Sequence, residues 1–267
     1  MSERLQRLFA TRGSSRPSRF IAYMCAGDPD FETSLELCRI LIDEGIDLLE
    51  LGIPFSDPLA DGLTNQLAAQ RALESGMTAE QSFALVRAIR AFAPDLPIVF
   101  YTYYNLIFAQ GEEAYVQAAA EAGVDGLLTL DLPPEEAESL VGHCRAAGLA
   151  NIFIVAPTTP PERLPLIGQQ ASGFIYYVSR EGVTGERNDL PDNLAQAVET
   201  IRQAIDLPVV VGFGISSSEQ VQAINRVADG AVVGSALVNC VKLHQGQPEA
   251  IKETLRAKIR ALLGKTA

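Results

Sequence analysis

The chain has 267 residues, of which 48% are hydrophobic and 20% are charged, and its formal net charge is −12. This length suits one (β/α)₈ barrel, which takes about 250 residues. An acidic surface repels phosphate backbones, so we expect no nucleic-acid partner. No run approaches the roughly 18 apolar residues of a membrane span, and the first residues lack a signal segment. These features predict a cytoplasmic protein that makes no membrane contact.

Strand-like and helix-like segments alternate along the chain, after a short amphipathic helix at the N-terminus. The predicted strands span residues 20–27, 48–55, 98–105, 126–133, 151–158, 174–181, 209–216 and 230–237. Each is an almost continuous apolar run, which is typical of parallel strands buried on both faces. Segments of helical periodicity lie between them, and residues 248–267 form a closing helix with a frayed polar tail. We therefore predict an α/β fold: a single (β/α)₈ TIM-barrel domain over residues 1–267, with a short extra N-terminal helix.

Two connections are longer than the others, at residues 54–78 after strand 2 and 180–193 after strand 6. Loops that follow strands lie at the C-terminal face of a barrel, which carries the active site. Long loops there are candidates for lids and substrate contacts.

The positions of lysine, histidine and cysteine exclude several kinds of chemistry. The lysines all lie beyond residue 241, and His143 and His244 lie in predicted helices. A Schiff-base or pyridoxal phosphate (PLP) enzyme needs a lysine in the barrel, and metal catalysis needs ligands at its mouth. The cysteines have no metal-binding spacing and are expected to be reduced. We expect no metal and no cofactor in this chain.

Acidic residues are the remaining candidates for acid–base catalysis. Glu50 lies inside an apolar strand, where burial raises the pKa of a carboxyl group toward neutrality. Asp61 lies in the loop after that strand and could complete an acid–base pair. Asp131 lies at the end of strand 4 and also faces the mouth. The alternatives are structural: a buried Glu paired with Arg or Tyr, an Asp-Gly turn, and a carboxylate that holds a loop amide.

Glycine-rich segments after the last strands indicate a phosphate site. The sequence has GVTG at 182–185, GFG at 212–214 and GSA at 234–236. Glycine lets backbone N–H groups approach a phosphate, and Ser235 could open a short helix whose N-terminus favours an anion. Phosphate sites of such barrels often use the loops after strands 7 and 8. The alternative is that these glycines serve tight packing.

The segment ELGIPFSDPLADG at 50–62 resembles the signature of the tryptophan synthase α-subunit family. The segments AGDPD, YYN, DLP, SREGVTG, GFGIS and GSA match the same family in order, so the resemblance covers nearly the whole chain. It implies a lyase that cleaves indole-3-glycerol phosphate into indole and glyceraldehyde 3-phosphate by a retro-aldol step.

The resemblance also implies a role for individual residues. Glu50 would protonate indole C3 and accept the proton of the glycerol hydroxyl, and Asp61 would bind the indole N–H. Tyr176 would lie at the catalytic centre, and Thr184 would belong to a lid that closes onto Asp61. The pocket would be walled by Tyr23, Tyr101, Leu128 and Phe213, and the phosphate would be held by Gly185, Gly214, Gly234 and Ser235. For the four wall residues, core packing is the alternative.

A partner is implied as well. Proteins of this family pair with a PLP-containing β subunit in an α₂β₂ heterotetramer and pass it indole, from which it makes L-tryptophan. The matching interface positions are Asp57, Asn105 and Pro133. PLP would then belong to the partner, in agreement with the lack of a barrel lysine.

The sequence departs from the family pattern just after Asp61. Leu63 replaces a usual proline, and Asn65 places an amide where an apolar side chain would line the indole side of the site. Ala22 and Leu130 are smaller departures. Three alternatives remain: an indole-glycerol-phosphate synthase, which would need a strand lysine; a non-catalytic subunit that activates a β subunit; and a lyase that releases indole without a partner.

Overall fold

A computed structural model describes residues 2–10, 19–179, 193–212 and 214–265. Eight parallel strands form a closed barrel in which each strand pairs with the next and the last pairs with the first. This confirms the predicted (β/α)₈ fold. The strands are β1 Arg19–Cys25, β2 Leu48–Gly52, β3 Ile98–Thr102, β4 Gly126–Thr129, β5 Ala150–Val155, β6 Ile175–Val178, β7 Val209–Gly212 and β8 Gly230–Val233.

Helices surround the barrel. They are α1 Glu3–Phe9, α2 Phe31–Asp43, α3 Leu63–Glu74, α4 Ala79–Arg90, α5 Tyr104–Gln110, α6 Glu112–Ala122, α7 Glu138–Ala146, α8 Leu164–Gln170, α9 Leu194–Ala204, α10 Ser218–Asn225, α11 Ser235–Leu243 and α12 Pro248–Leu262. Strand residues are buried on both faces, inside the barrel and against the helices, which explains their continuous apolar character. Among the residues described, no helix is both long and apolar enough to cross a lipid bilayer.

The N-terminal helix α1 covers the end of the barrel opposite the strand C-termini. Leu5 is fully buried, and the Phe9 ring lies 5.7 Å from that of Phe174, the residue before β6. Arg4 also forms a 2.9 Å ion pair with the buried Asp125, just before β4. Apolar and charged contacts together hold α1 against the barrel. This helix is the extra N-terminal helix that the sequence predicted.

The elements differ from the sequence prediction mainly at their C-terminal ends. Strand β2 ends at Gly52 and β7 at Gly212, several residues before the predicted limits. The apolar residues that follow, such as Ile53 and Ile215, are buried in loops, so their apolar character does not mark strand. The connection 54–78 contains helix α3, and the closing helix ends at Leu262. The second long connection, 180–193, lies almost wholly outside the described residues.

Candidate active site

Glu50 occupies the middle of β2, in register with Tyr23 of β1 and Val99 of β3. Its side chain is 1% exposed, and Oε1 has no hydrogen-bond partner among the described residues. Burial, followed by repulsion from Asp61, raises the pKa of Glu50 to about 8. At neutral pH this carboxyl group is therefore mainly protonated, and it can both give and take a proton.

Asp61 lies directly before the N-cap of α3, and three side chains donate hydrogen bonds to its carboxylate. Tyr103 Oη donates to Oδ2 at 2.7 Å, and Tyr101 Oη and Asn65 Nδ2 donate to Oδ1 at 3.1 Å each. Gln66 fixes the backbone by donating to the Asp61 carbonyl at 2.7 Å. Burial raises the pKa of Asp61 above its usual value, and the bonds from Tyr103, Asn65 and Tyr101 offset part of that rise. These donors favour the ionised form.

Tyrosine side chains cross the barrel above two glycines. The ring of Tyr23 lies edge-on to that of Tyr101, with centroids 5.1 Å apart. A Cβ on Gly52 would overlap the Tyr23 hydroxyl, and one on Gly212 would overlap the hydroxyl of Tyr176. Burial raises the pKa of all three phenols well above 10, so they remain neutral. The glycines at these two strand ends are therefore needed for the rings to reach the centre.

One cavity at the C-terminal mouth brings these groups together. It is lined by Tyr23, Glu50, Asn65, Tyr101, Tyr176, Gly214, Val232, Gly234 and Ser235. Asp61 adjoins it through its bonds to Tyr101 and Asn65. Residues from β1, β2, β3, β6, β8, α3 and the loops after β7 and β8 thus converge. Among them are Glu50 and residues of the glycine segments 212–214 and 234–236; the segment 182–185 lies outside the described residues.

Backbone from the glycine segments 212–214 and 234–236 lies at the cavity. Gly234 is the N-cap of α11, and Ser235 is the first residue of that helix and is 9% exposed. Gly214 has a φ of +76°, a conformation that favours glycine. The N-terminus of α11, where the first backbone N–H groups lack partners within the helix, therefore adjoins a site that also holds neutral and acidic side chains.

Other predicted site residues lie elsewhere. Leu128 is fully buried beside Tyr101 in the sheet and does not line the cavity. This placement agrees with the alternative that Leu128 serves core packing. Asp131 is exposed, and its Oδ1 accepts a 2.7 Å hydrogen bond from the Tyr104 amide, so it holds a loop. Thr184, Gly185 and Phe213 lie outside the described residues.

The predicted interface residues Asp57, Asn105 and Pro133 are exposed at the same face, in the loops after β2 and β4 and in the first turn of α5, directly after β3.

Sequence reasoning missed two residues of the site, Tyr103 and Val232. It singled out Asn65 only as a departure from the family pattern. Within the part of the chain that is described, no cluster of His, Cys, Asp and Glu could hold a metal ion.

Comparison with known proteins identifies the family. The family model described as tryptophan synthase alpha chain matches residues 9–265. The tryptophan synthase alpha chain of Opitutus terrae is 62% identical over 254 residues, which is 95% of each chain. The chain belongs to the tryptophan synthase alpha chain family. The tryptophan synthase alpha chain of Methanocaldococcus jannaschii is 45% identical, over 88% of this chain and 83% of its own length. Members of this family are lyases, and so is this chain.

Solved structures agree with the family and the fold. A chain from Aquifex aeolicus superimposes with a TM-score of 0.87 at 38% identity and covers 98% of each chain. A chain of the tryptophan synthase α₂β₂ complex from Pyrococcus furiosus has a TM-score of 0.86 at 38% identity, over 93% of this chain and 99% of its own.

Proposed function

We propose that the chain cleaves indole-3-glycerol phosphate into indole and glyceraldehyde 3-phosphate at the cavity around Glu50. The observation that carries this proposal is a pair of carboxyl groups in one site with different hydrogen-bond surroundings. Glu50 has a pKa raised to about 8, and Asp61 accepts three hydrogen bonds that favour its anion. An acid and an anion in one water-poor site suit a proton-driven retro-aldol cleavage.

In this mechanism Glu50 transfers its proton to C3 of the indole ring, and Asp61 accepts a hydrogen bond from the indole N–H. The negative charge of Asp61 stabilises the positive charge that develops on the protonated ring. Glu50, now ionised, takes the proton of the adjacent glycerol hydroxyl. The C–C bond then breaks, its electron pair restores the aromatic ring, and the hydroxyl carbon becomes the aldehyde of glyceraldehyde 3-phosphate.

The remaining site residues bind and orient the substrate. Gly214, Gly234 and Ser235, with Gly185, form the proposed phosphate cradle, in which backbone N–H groups at the start of α11 meet the anion. Tyr23 and Tyr101, which line the cavity, would wall the ring, with Phe213 as a further proposed wall residue. Leu128 would support Tyr101 from the neighbouring strand. Tyr176 would lie beside the reacting atoms, and Thr184 would belong to the lid.

We further propose a β subunit as the partner, in an α₂β₂ heterotetramer that passes indole to it for L-tryptophan synthesis. The Pyrococcus furiosus relative is part of such a complex. Asp57, Asn105 and Pro133 are exposed at the cavity mouth, and Leu59 and Phe108 expose 87% and 67% of their surface there.

Hydrogen bonds link the loops that carry these residues. The Ala60 amide donates to Tyr103 Oη at 3.0 Å, and the Tyr104 amide donates to Asp131 at 2.7 Å. A connected surface with polar and apolar residues suits a subunit interface. PLP would belong to the β subunit, and this chain would carry no cofactor. A cytoplasmic location and a single barrel domain over residues 1–267 complete the proposal.

The test is indole release from indole-3-glycerol phosphate by the full chain, alone and with a β subunit, beside Glu50→Gln. We expect slow release alone, strong activation by the β subunit, and loss of release in the variant. Fast release by the chain alone would support a partner-independent lyase. If Glu50→Gln still activated the β subunit and the unchanged chain never released indole, the subunit would be regulatory and the lyase mechanism wrong.

A further inference from the structure

Asn65 lines the cavity and is the residue of α3 that touches the Asp61 side chain. It occupies the first turn of the helix and is only 5% exposed. Its Nδ2 donates to Asp61 Oδ1 at 3.1 Å. The reverse amide orientation would place two oxygen atoms against each other, so the hydrogen bond itself determines which atom faces the carboxylate.

The carbonyl oxygen of the Asn65 amide lowers the stability of the fold. This oxygen, Oδ1, is buried and has no hydrogen-bond partner among the described residues. A buried acceptor without a partner typically destabilises a protein, whereas a leucine of similar volume would avoid that cost. An amide at this position therefore needs a compensating benefit, and the contact that can supply it is the hydrogen bond to Asp61.

We propose that Asn65 is a positioning residue of the lyase, whose amide holds the Asp61 carboxylate ionised and in one orientation beside the cavity. The proposal rests on the proposed function and deepens it. Without Asn65, Asp61 Oδ1 would keep only the Tyr101 hydroxyl as a donor, and Oδ2 would keep Tyr103. A carboxylate with fewer donors is more easily protonated and rotates more freely.

Other groups around Asp61 raise the need for such a donor. The titratable groups that influence it, or are influenced by it, are Glu50 on β2, Tyr23 and Cys25 on β1, Tyr101 and Tyr103 at the end of β3, and Tyr176 on β6. None of these brings a positive charge. In this site, as described, hydrogen bonds are therefore the contacts that favour the ionised form of Asp61 against the effect of burial.

The experiment compares the full chain with Asn65→Leu and Asn65→Asp. Leucine conserves volume and removes the donor, while aspartate conserves shape and adds a second carboxyl group. A ¹³C NMR titration of aspartate carboxyls, with the Asp61 signal assigned by Asp61→Asn, follows the protonation of Asp61 directly. We expect its midpoint to rise by about one pH unit in Asn65→Leu, the shift that follows from losing one hydrogen bond to a charged group. The midpoint should rise further in Asn65→Asp.

Indole release in the presence of a β subunit provides the second readout. In Asn65→Leu we expect kcat to fall about tenfold near pH 6, with a smaller loss near pH 7.5 and little change in KM. Asn225→Leu is the matched control, because Asn225 of α10 also has a buried Oδ1 without a partner in the described structure and does not line the cavity. It should leave both the midpoint and the pH profile unchanged.

Two results would separate the possible failures. An Asp61 midpoint that is unchanged in both Asn65 variants would overturn the role of Asn65, even if the chain releases indole normally. An unchanged chain that releases no indole would overturn the lyase, while the NMR midpoint would still decide whether Asn65 holds Asp61 ionised.

Discussion

Asp61 adds charge repulsion to the effect of burial on Glu50 and so raises its pKa, while Asp61 itself accepts hydrogen bonds from three donors that favour its ionised form. The two carboxyl groups therefore differ in the contacts that determine their protonation. Glu50 is buried without a partner for Oε1, and Asp61 is buried among tyrosine hydroxyls and an amide. An acid and an anion can coexist in one cavity at neutral pH because their immediate surroundings differ in this way.

The first prediction concerns the pH dependence of indole release. The active state has Glu50 protonated and Asp61 ionised, so kcat/KM should fall as pH rises through about 8, where Glu50 loses its proton. It should also fall on the acid side as Asp61 becomes protonated. Glu50→Gln should lower kcat by a factor of roughly 10²–10⁴, the usual contribution of a general acid–base group.

Glu44→Gln is the control for that substitution, because Glu44 is a buried glutamate that pairs with Arg260 on the outside of the barrel. Its pH profile should match that of the unchanged chain. Stopped-assay rates between about pH 5 and 10 would measure both limbs. A rate that stays constant through pH 8 would show that Glu50 is not the proton donor.

The second prediction concerns stability, and it does not depend on substrate. The folded state raises the pKa of Glu50 from 4.5 to about 8. The protonated carboxyl therefore stabilises the fold fully below the unfolded value, and this contribution is lost as pH rises through about 8. Glutamine cannot ionise, so Glu50→Gln should gain up to about 5 kcal/mol over the unchanged chain between pH 4.5 and 8. Urea unfolding of both proteins at several pH values would measure this difference. A constant difference would contradict a buried, uncharged Glu50.

Much of this site could be predicted from the sequence because its residues follow strands. In a parallel barrel every strand ends at the same face, so the strand assignment alone brings Glu50, Tyr176 and Ser235 together. The contacts of Asp61 could not be predicted in this way. Tyr103 reaches it from 42 positions further along the chain. That contact depends on the path of the loop between β2 and α3, which local sequence does not determine.

Helix α3 was missed for a related reason. Its buried face consists of Asn65 and the small residues Ala68, Ala69 and Ala72, so it lacks the large apolar side chains that mark an amphipathic helix. The segment therefore resembles a polar loop in the sequence. In the structure α3 packs against α11 and β1, and that packing places Asn65 beside Asp61.

The third prediction tests the close approach of Tyr23 to β2. A Cβ on Gly52 would lie 2.7 Å from Tyr23 Cζ, so Gly52→Ala should push the ring into the cavity. We expect a loss of about 1–3 kcal/mol in stability from overpacking, together with a marked fall in kcat/KM. In a Tyr23→Ala background the same change should cost almost nothing further, because the clashing ring is gone.

Gly142→Ala is the control for the glycine change, since a Cβ there meets nothing within 4 Å and alanine favours the helix. It should leave indole release unchanged and stability unchanged or slightly increased. Chemical unfolding and steady-state kinetics on the four proteins of the Gly52–Tyr23 cycle would give the coupling. Purely additive effects would mean that the two residues do not contact each other.

The last prediction concerns the ion pair that ties α3 to the loop after β1. Arg71 donates two hydrogen bonds, of 2.7 and 2.8 Å, to the fully buried carboxylate of Asp28. Burial raises the pKa of Asp28, and Arg71 lowers it. Arg71→Met would leave a buried charge without its partner, so we expect a cost of about 3–5 kcal/mol. The Arg163–Glu135 pair has the same two-bond geometry but is exposed, so Arg163→Met should cost much less stability than Arg71→Met. Because α3 also carries Asn65, Arg71→Met should reduce indole release at temperatures where the protein is still folded. Equal losses of stability in the two variants would show that burial of Asp28 does not govern the strength of the pair.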